Sequence, residues 1–240
     1  MIGEREVGKP TADDEISAHG DVLHGAVYRR WIDLATLTGL VAADTIGVMA
    51  TYETRTRRFT RAEYDRLIEL GIFQPGEEIE LIGGELIVAE PQGAAHYTAI
   101  VKSTRALQAA FGPGWYLRAE GPIGLDDDSE PEPDVAVVPG EPEDYSRAHP
   151  SRPVLTLEVA ESSLAVDRGR KGSLYARAGL ADYWVLNLID RVLEVYRDPV
   201  ADATATFGWR YARLEVFDAS VRAMPLATPG SSVRVADLLP

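Results

Sequence analysis

The stretch LTLEVAESSLAVDRGRKGSLYARAGLADYWVLNL, residues 155–188, reads as strand, helix, strand. Its first segment alternates, with Leu155, Leu157 and Val159 on one face and Thr156, Glu158 and Ala160 on the other. An acid inside so apolar a strand needs pairing, hydrogen bonds or a cation, because a bare buried charge is costly. A helix is expected from Asp167, as N-cap, to Ala178, with Gly179 ending it. On that helix Lys171 shares a stripe with Leu174, Tyr175 and Ala178, so a lysine occupies the face that otherwise looks inward. Snorkelling past its apolar neighbours into solvent is the other reading of Lys171. In DYWVLNL, Tyr183 and Trp184 are expected core aromatics.

Working outward, VLEVYRD pairs back on DYWVLNL through a turn at Ile189-Asp190, and RYARLEVF and SSVRVADL supply further short strands. Upstream, WYLRAE from Trp115 and DVAVV from Asp134 are strand candidates separated by Pro, Gly and acidic loops. Thr60 and Glu63 form a capping box ahead of a helix carrying Tyr64, Leu67, Ile68 and Ile72. Residues 78–90 alternate around Gly83-Gly84, a hairpin turn, and Ala95 to Phe111 make a second amphipathic helix closed by Gly112-Pro113-Gly114. The order αββα-βββ-α-ββ predicts a mixed α/β (α+β) domain, a central mixed sheet flanked by helices.

Composition narrows the chemistry. The 240 residues include 45% hydrophobic and 26% charged side chains, a globular balance. With no cysteine and only 4 histidines, thiolate metal sites, disulfides and cysteine nucleophiles are excluded, and any metal must be held by oxygen or histidine. No dinucleotide fingerprint, phosphate loop, zinc-protease motif or nucleophile elbow is present. The aspartates 126–128 lack the glycine and closing glutamate of a calcium loop and read as a solvated loop. No stretch is apolar and long enough for a signal peptide or bilayer span, so a cytoplasmic protein with no membrane partner is expected. Residues 1–48 show weak periodicity, and Met49 would make a natural first residue; they are expected to be a poorly ordered extension or upstream start before a domain of residues 49–240.

Asp134 and Glu158 lie on neighbouring strand candidates, where two carboxylates would make a hard-oxygen site for Mg²⁺ or Mn²⁺. The alternative is an edge strand with Glu158 solvated and Asp134 a turn acid, and the pattern alone leaves both open. Two acids with one lysine suit phosphodiester hydrolysis, in which a metal polarises the phosphoryl group and lysine offsets developing charge.

These residues carry a resemblance. PEPDVAVV (131–138), the stretch 155–188 and EIELIGGELIVAEPQGAAH (78–96) resemble the Uma-two family of endonucleases in the PD-(D/E)xK superfamily, over roughly Thr60 to Pro199. The resemblance implies a restriction-endonuclease-like core and a metal-dependent endonuclease acting on nucleic acid, with DNA the expected substrate. It implies Asp134, Glu158 and Lys171 as the catalytic set, with Mg²⁺ (or Mn²⁺) held by Asp134, Glu158 and the backbone carbonyl of Val159. In the superfamily a lysine stands two residues beyond the strand glutamate, where this chain has Ala160; the resembled family carries its lysine on the following helix, matching Lys171. The Ala160 departure keeps open a second reading, an inactive nucleic-acid or protein-binding module on the same fold. Glu80 and His96 also match family positions: Glu80 could supply a further metal ligand and His96 could touch substrate or water, although an exposed hairpin acid and a structural or solvated histidine are the expected roles. Arg168 and Arg170 could contact phosphates, yet arginines on a helix usually form a solvated face. A homodimer would fit cleavage of both strands.

The formal net charge of −14 argues at first against a polyanionic substrate. Yet residues 120–144 hold 10 acids and no base, residues 1–48 hold 8 acids and 4 bases, and the remainder has 20 of each. The acidity is local and surrounds Asp134, where a divalent cation would compensate it. Weak, cation-dependent nucleic-acid binding is the expectation.

Overall fold

The computed structural model describes residues 55–89 and 91–240; the expectations for residues 1–48 and for Met49 lie outside the described residues. Helix α1 (Arg61–Glu69) opens on the anticipated cap: the Thr60 side chain accepts from the Glu63 N–H while the Glu63 carboxylate accepts from the Thr60 N–H. A hairpin of β1 (Ile79–Ile82) and β2 (Glu85–Val88) follows, turning through Gly83 and Gly84 at φ +59° and +78°. Those left-handed angles are the ones a tight hairpin turn demands of its two central residues. Helix α2 (Ala94–Phe111) ends at Gly112.

The central sheet contains β3 (Trp115–Ala119), β4 (Val135–Pro139), β5 (Leu155–Ala160), β6 (Asp182–Asn187), β7 (Val192–Ala201) and β8 (Trp209–Phe217), in that spatial order. Only β5 and β6 run parallel; every other neighbour is antiparallel. A parallel pair requires a crossover, and the helical segment after β5 supplies it. A two-strand ribbon of β9 (Arg222–Ala223) and β10 (Val233–Arg234) completes the chain. This is the mixed α/β architecture expected, with a six-strand mixed sheet and flanking helices.

The alternation of residues 155–160 becomes the two sides of the sheet. Leu155, Leu157 and Val159 join Ile100, Leu107 and Trp184 in the larger core under α2. Ala160 joins Ala136, Tyr175, Tyr183 and Val185 on the opposite side. All six residues of β5 are buried, which corrects the edge-strand alternative for Glu158: the strand is internal, bonded on both flanks.

The crossover helix also departs from expectation. It starts earlier, after Ser163, as α3 (Leu164–Val166), widens into a π-helical turn over Asp167–Lys171, and continues as α4 (Gly172–Arg177). Asp167 is therefore inside the helix rather than its N-cap, and it accepts a 2.6 Å hydrogen bond from Ser163 Oγ. Such single wide turns occur frequently at functional sites.

Candidate active site

The sheet forks where β4 enters beside β5. Their register runs Val137 to Leu155, Ala136 to Thr156 and Val135 to Leu157, then stops. In place of the next ladder bond, the Asp134 carboxylate accepts from the Val159 N–H at 2.6 Å. The Ala160 carbonyl accepts from Leu188 on the β6 side, so strand alternation turns the N–H and C=O of Val159 towards the fork. Asp134 and Glu158 are thus brought together by the register that ends the β4–β5 ladder, and the Val159 carbonyl opens beside them.

Glu158 projects on the α4 side and is 2% exposed. Tyr175 donates its hydroxyl to Glu158 Oε1 at 2.7 Å, and Lys171 Nζ stands 3.3 Å from Oε2. Lys171 also stands 3.2 Å from Glu80 Oε1. It does not snorkel to solvent; its ammonium bridges a strand glutamate and a hairpin glutamate. Glu80 is consequently a buried, ion-paired acid and not the exposed hairpin residue expected. His96, from the first turn of α2, reaches Asp134 Oδ1 with Nε2 at 3.2 Å. Asp134, Glu158, Lys171, Glu80 and His96 therefore gather in one place, from β1, α2, the fork, β5 and the π-helical turn.

The electrostatics are lopsided. Burial raises the Glu158 carboxyl well above its usual range, and Asp134, Asp167 and Glu80 add to this against the opposing pull of Lys171. Burial and the same acidic neighbours push Asp167 up to about 6, although Lys171 and Ser163 oppose them. Glu132 is pushed up to about 7, first by burial and then by Glu80, Glu78 and Glu130. Burial alone would lower Lys171, but the Glu158, Glu80, Asp167 and Asp134 charges outweigh it and hold the ammonium protonated. At His96 burial is likewise overcome, by the Asp134 hydrogen bond and charge, and its pKa rises. Four carboxylates thus face one fixed ammonium.

Two members escaped the sequence reading. Tyr175 was visible as an inward residue on the Lys171 stripe, but its hydroxyl was not assigned a partner. Asp167 lies four positions before Lys171, and its reading as an N-cap hid it. Arg168 and Arg170 are not free for phosphate: Arg168 pairs with Glu194, and Arg170 with Glu85 at 2.6 Å and with the Ile82 carbonyl. The loop of aspartates 126–128 is only partly solvated: Asp127 is exposed, while Arg177 pairs with Asp126 and Asp128 at 2.8 and 2.6 Å.

The donor chemistry fits a hard divalent cation. Asp134 and Glu158 supply carboxylate oxygens, the Val159 carbonyl a neutral one, and the surplus of acids over Lys171 leaves negative charge to be offset. Among the described residues no three of His, Asp and Glu form a preformed metal cluster. One or two protein carboxylates are what Mg²⁺ ordinarily takes, with waters and substrate phosphate completing its shell.

An internal carboxylate pair thus stands at a sheet fork, with a lysine on the crossover helix. The chain belongs to the Uma2 family, described as "Putative restriction endonuclease", whose model matches residues 61–236. Its fold is similar to the crystal structure of a putative nuclease of the DUF820 group from Anabaena variabilis, at 19% identity and a TM-score of 0.52, covering 71% of this chain and 94% of that one. No curated protein matches the chain. Membership of this family supports a nuclease function.

Proposed function

We propose that the protein is a metal-dependent endonuclease that hydrolyses phosphodiester bonds in DNA. The observation that carries this reading is the convergence at the fork: Asp134 bonded to the Val159 N–H at 2.6 Å, and Lys171 3.3 Å from Glu158. Asp134, Glu158 and the Val159 carbonyl would hold Mg²⁺ or Mn²⁺. When bound, the cation supplies Lewis acidity at the scissile phosphate.

The side chains divide the remaining work. Tyr175 fixes one oxygen of Glu158, which leaves the other directed at Lys171 and the fork. Glu80 holds the same ammonium at 3.2 Å, so the lysine is positioned before substrate arrives. That preorganised charge is placed to offset negative charge gathering on the phosphoryl oxygens in the transition state. His96, bonded to Asp134, orients that carboxylate. The reading as an inactive module rests on Ala160 in the usual lysine position; Lys171 beside Glu158 supplies the missing charge from the helix.

The test is cleavage of supercoiled and linear DNA by the purified protein with Mg²⁺ or Mn²⁺ and with chelator. Metal-dependent cleavage that disappears in Glu158→Gln and Asp134→Asn is expected. Cleavage surviving in both variants, or cleavage undiminished by chelator, overturns the assignment.

A further inference from the structure

On the far flank of α2 lies a groove of about 660 Å³, walled on one side by Lys102 and Arg105 and on the other by Arg222, Ser232 and Arg234. Ala106, Ala109 and Ala110 of the helix also line it. The β9–β10 ribbon rises opposite.

Its charge runs against the rest of the molecule. The chain carries −14 overall, yet α2 has no acid in its 18 residues, and Asp237 is the single acid lining the groove. Asp237 is already paired with Arg234 at 2.8 Å. The Lys102 ammonium bonds the Leu239 carbonyl, and Arg222 bonds Ser232 Oγ and its carbonyl, each at 2.7 Å. Those partners are neutral. Arg105 is exposed. Among the described residues, Lys102, Arg105 and Arg222 have no acidic partner within ion-pair distance, so three cations face the groove uncompensated. Lys102, the groove residue on α2 nearest to His96, lies six residues beyond it, about 9 Å along the helix axis at 1.5 Å per residue. None of the residues lining the groove belongs to the fork.

We infer that this groove binds the phosphate backbone of a nucleic-acid strand. Its occupant is polyanionic by charge complementarity, and the inference rests on the nuclease reading for taking that polyanion to be nucleic acid. Backbone recognition without base readout is what three cations on an open trough provide, because guanidinium and ammonium groups contact phosphates irrespective of sequence. It also answers how an acidic protein holds a polyanion: the binding charge is set apart from the acidic fork.

The test is fluorescence anisotropy of the full chain with a fluorescein-labelled DNA duplex, in chelator so that nothing is cut. Three phosphate contacts predict a log–log salt slope of about −2.7, hence about 40-fold weaker binding at ~200 mM than at ~50 mM salt. Arg105→Gln should reduce the slope by about 0.9, and Lys102→Gln with Arg105→Gln and Arg222→Gln should bring it near zero. Should the triple variant fail to fold, Arg105→Glu on the exposed helix surface carries the test, with weaker binding than Arg105→Gln expected. Binding with an unchanged slope in the triple variant, or in Arg105→Glu where that carries the test, overturns the inference, as does tighter groove-dependent binding of polyglutamate than of duplex. The two readings fail separately. Groove-dependent binding without cleavage activity removes the nuclease assignment alone, whereas cleavage with groove-independent binding removes the groove alone.

Discussion

Two buried charge clusters sit on neighbouring strands and are built on opposite principles. At the start of β6, Asp182 Oδ1 accepts from Arg197 Nε at 2.9 Å and Trp184 Nε1 at 2.8 Å, while Oδ2 accepts from the Leu226 N–H at 2.9 Å. Arg197 also donates to the Met224 carbonyl at 2.6 Å. One buried acid meets one buried base, with the more exposed Glu215 standing 3.7 Å from the guanidinium, and both Asp182 carboxylate oxygens have donors. At the fork, Lys171 lies in the field of four acids, two of them in contact with it, and burial pushes Glu158 and Asp167 upward. A balanced pair with satisfied hydrogen bonds ties structure together, whereas unbalanced charge held in a buried cleft is characteristic of sites that act on something else.

Glu158→Gln should produce the largest contrast. Cleavage is expected to fall by at least about 10³-fold, which is about 4 kcal/mol of transition-state stabilisation. Stability should hold or rise, because the substitution removes one of the crowded carboxylates and keeps an amide oxygen for Tyr175. A denaturant midpoint lower than wild type would show that Glu158 is a structural acid like Asp182, and the contrast would collapse.

Asp182→Ala should do the reverse. It leaves the buried guanidinium with only the Met224 carbonyl and the more distant Glu215, and the Trp184 and Leu226 donors without their acceptor, a loss of about 3 kcal/mol measured by chemical denaturation. Per folded molecule, cleavage should be preserved. Stability within about 0.5 kcal/mol of wild type would mean that the pair contributes nothing, since that is the scatter of ordinary surface substitutions.

How far this contrast could be read in advance depended on the range of the interactions. The β5 alternation, the Thr60–Glu63 box and the Gly83-Gly84 turn are local, and each formed where local chemistry directs it. Lys171 could be singled out because a charge on an apolar helical stripe is conspicuous within two turns. Glu80 could not be seen as buried, since the ammonium that accounts for it lies 91 residues further along the chain. The Arg177 pairing with Asp126 and Asp128 has the same long range, so three aspartates in a row looked solvated. Asp167 was misplaced for a local reason. Asp before a helical run is the ordinary signature of a cap, and nothing in residue preferences announces a π-turn.

A third acid tests the balanced side by pH. Glu194 is buried; burial would raise its pKa, but donors from Arg168, Tyr196 and Asn187 and the Arg168 charge bring it below 4.5. A carboxyl depressed in the folded state stabilises above its unfolded pKa, and that contribution disappears as pH falls through the folded value. The stability difference between wild type and Glu194→Gln should therefore be full at neutral pH and shrink below about 4.5 in thermal melts. A difference that widens on acidification would place Glu194 with the crowded acids of the fork.

Tyr175→Phe asks the smallest question, whether a single hydrogen bond separates a positioned carboxylate from a merely buried one. The hydroxyl donates to Glu158 Oε1 at 2.7 Å, and the ring packs 4.9 Å from that of Tyr183, so phenylalanine keeps the packing and deletes only the donor. Removing a hydrogen bond to a charged group costs about 1.5–3 kcal/mol where the group stays charged and buried. At the fork the stability loss should fall at or below the low end, because Glu158 retains Lys171 and can bind a proton to relieve its burial. Cleavage should fall about tenfold, with the loss in kcat rather than in substrate affinity, since the Tyr175 hydroxyl is buried against Glu158. If stability drops by the full amount and kcat per folded molecule is unchanged, Tyr175 is a structural tyrosine, and the orientation of Glu158 is set by Lys171 and the fork alone.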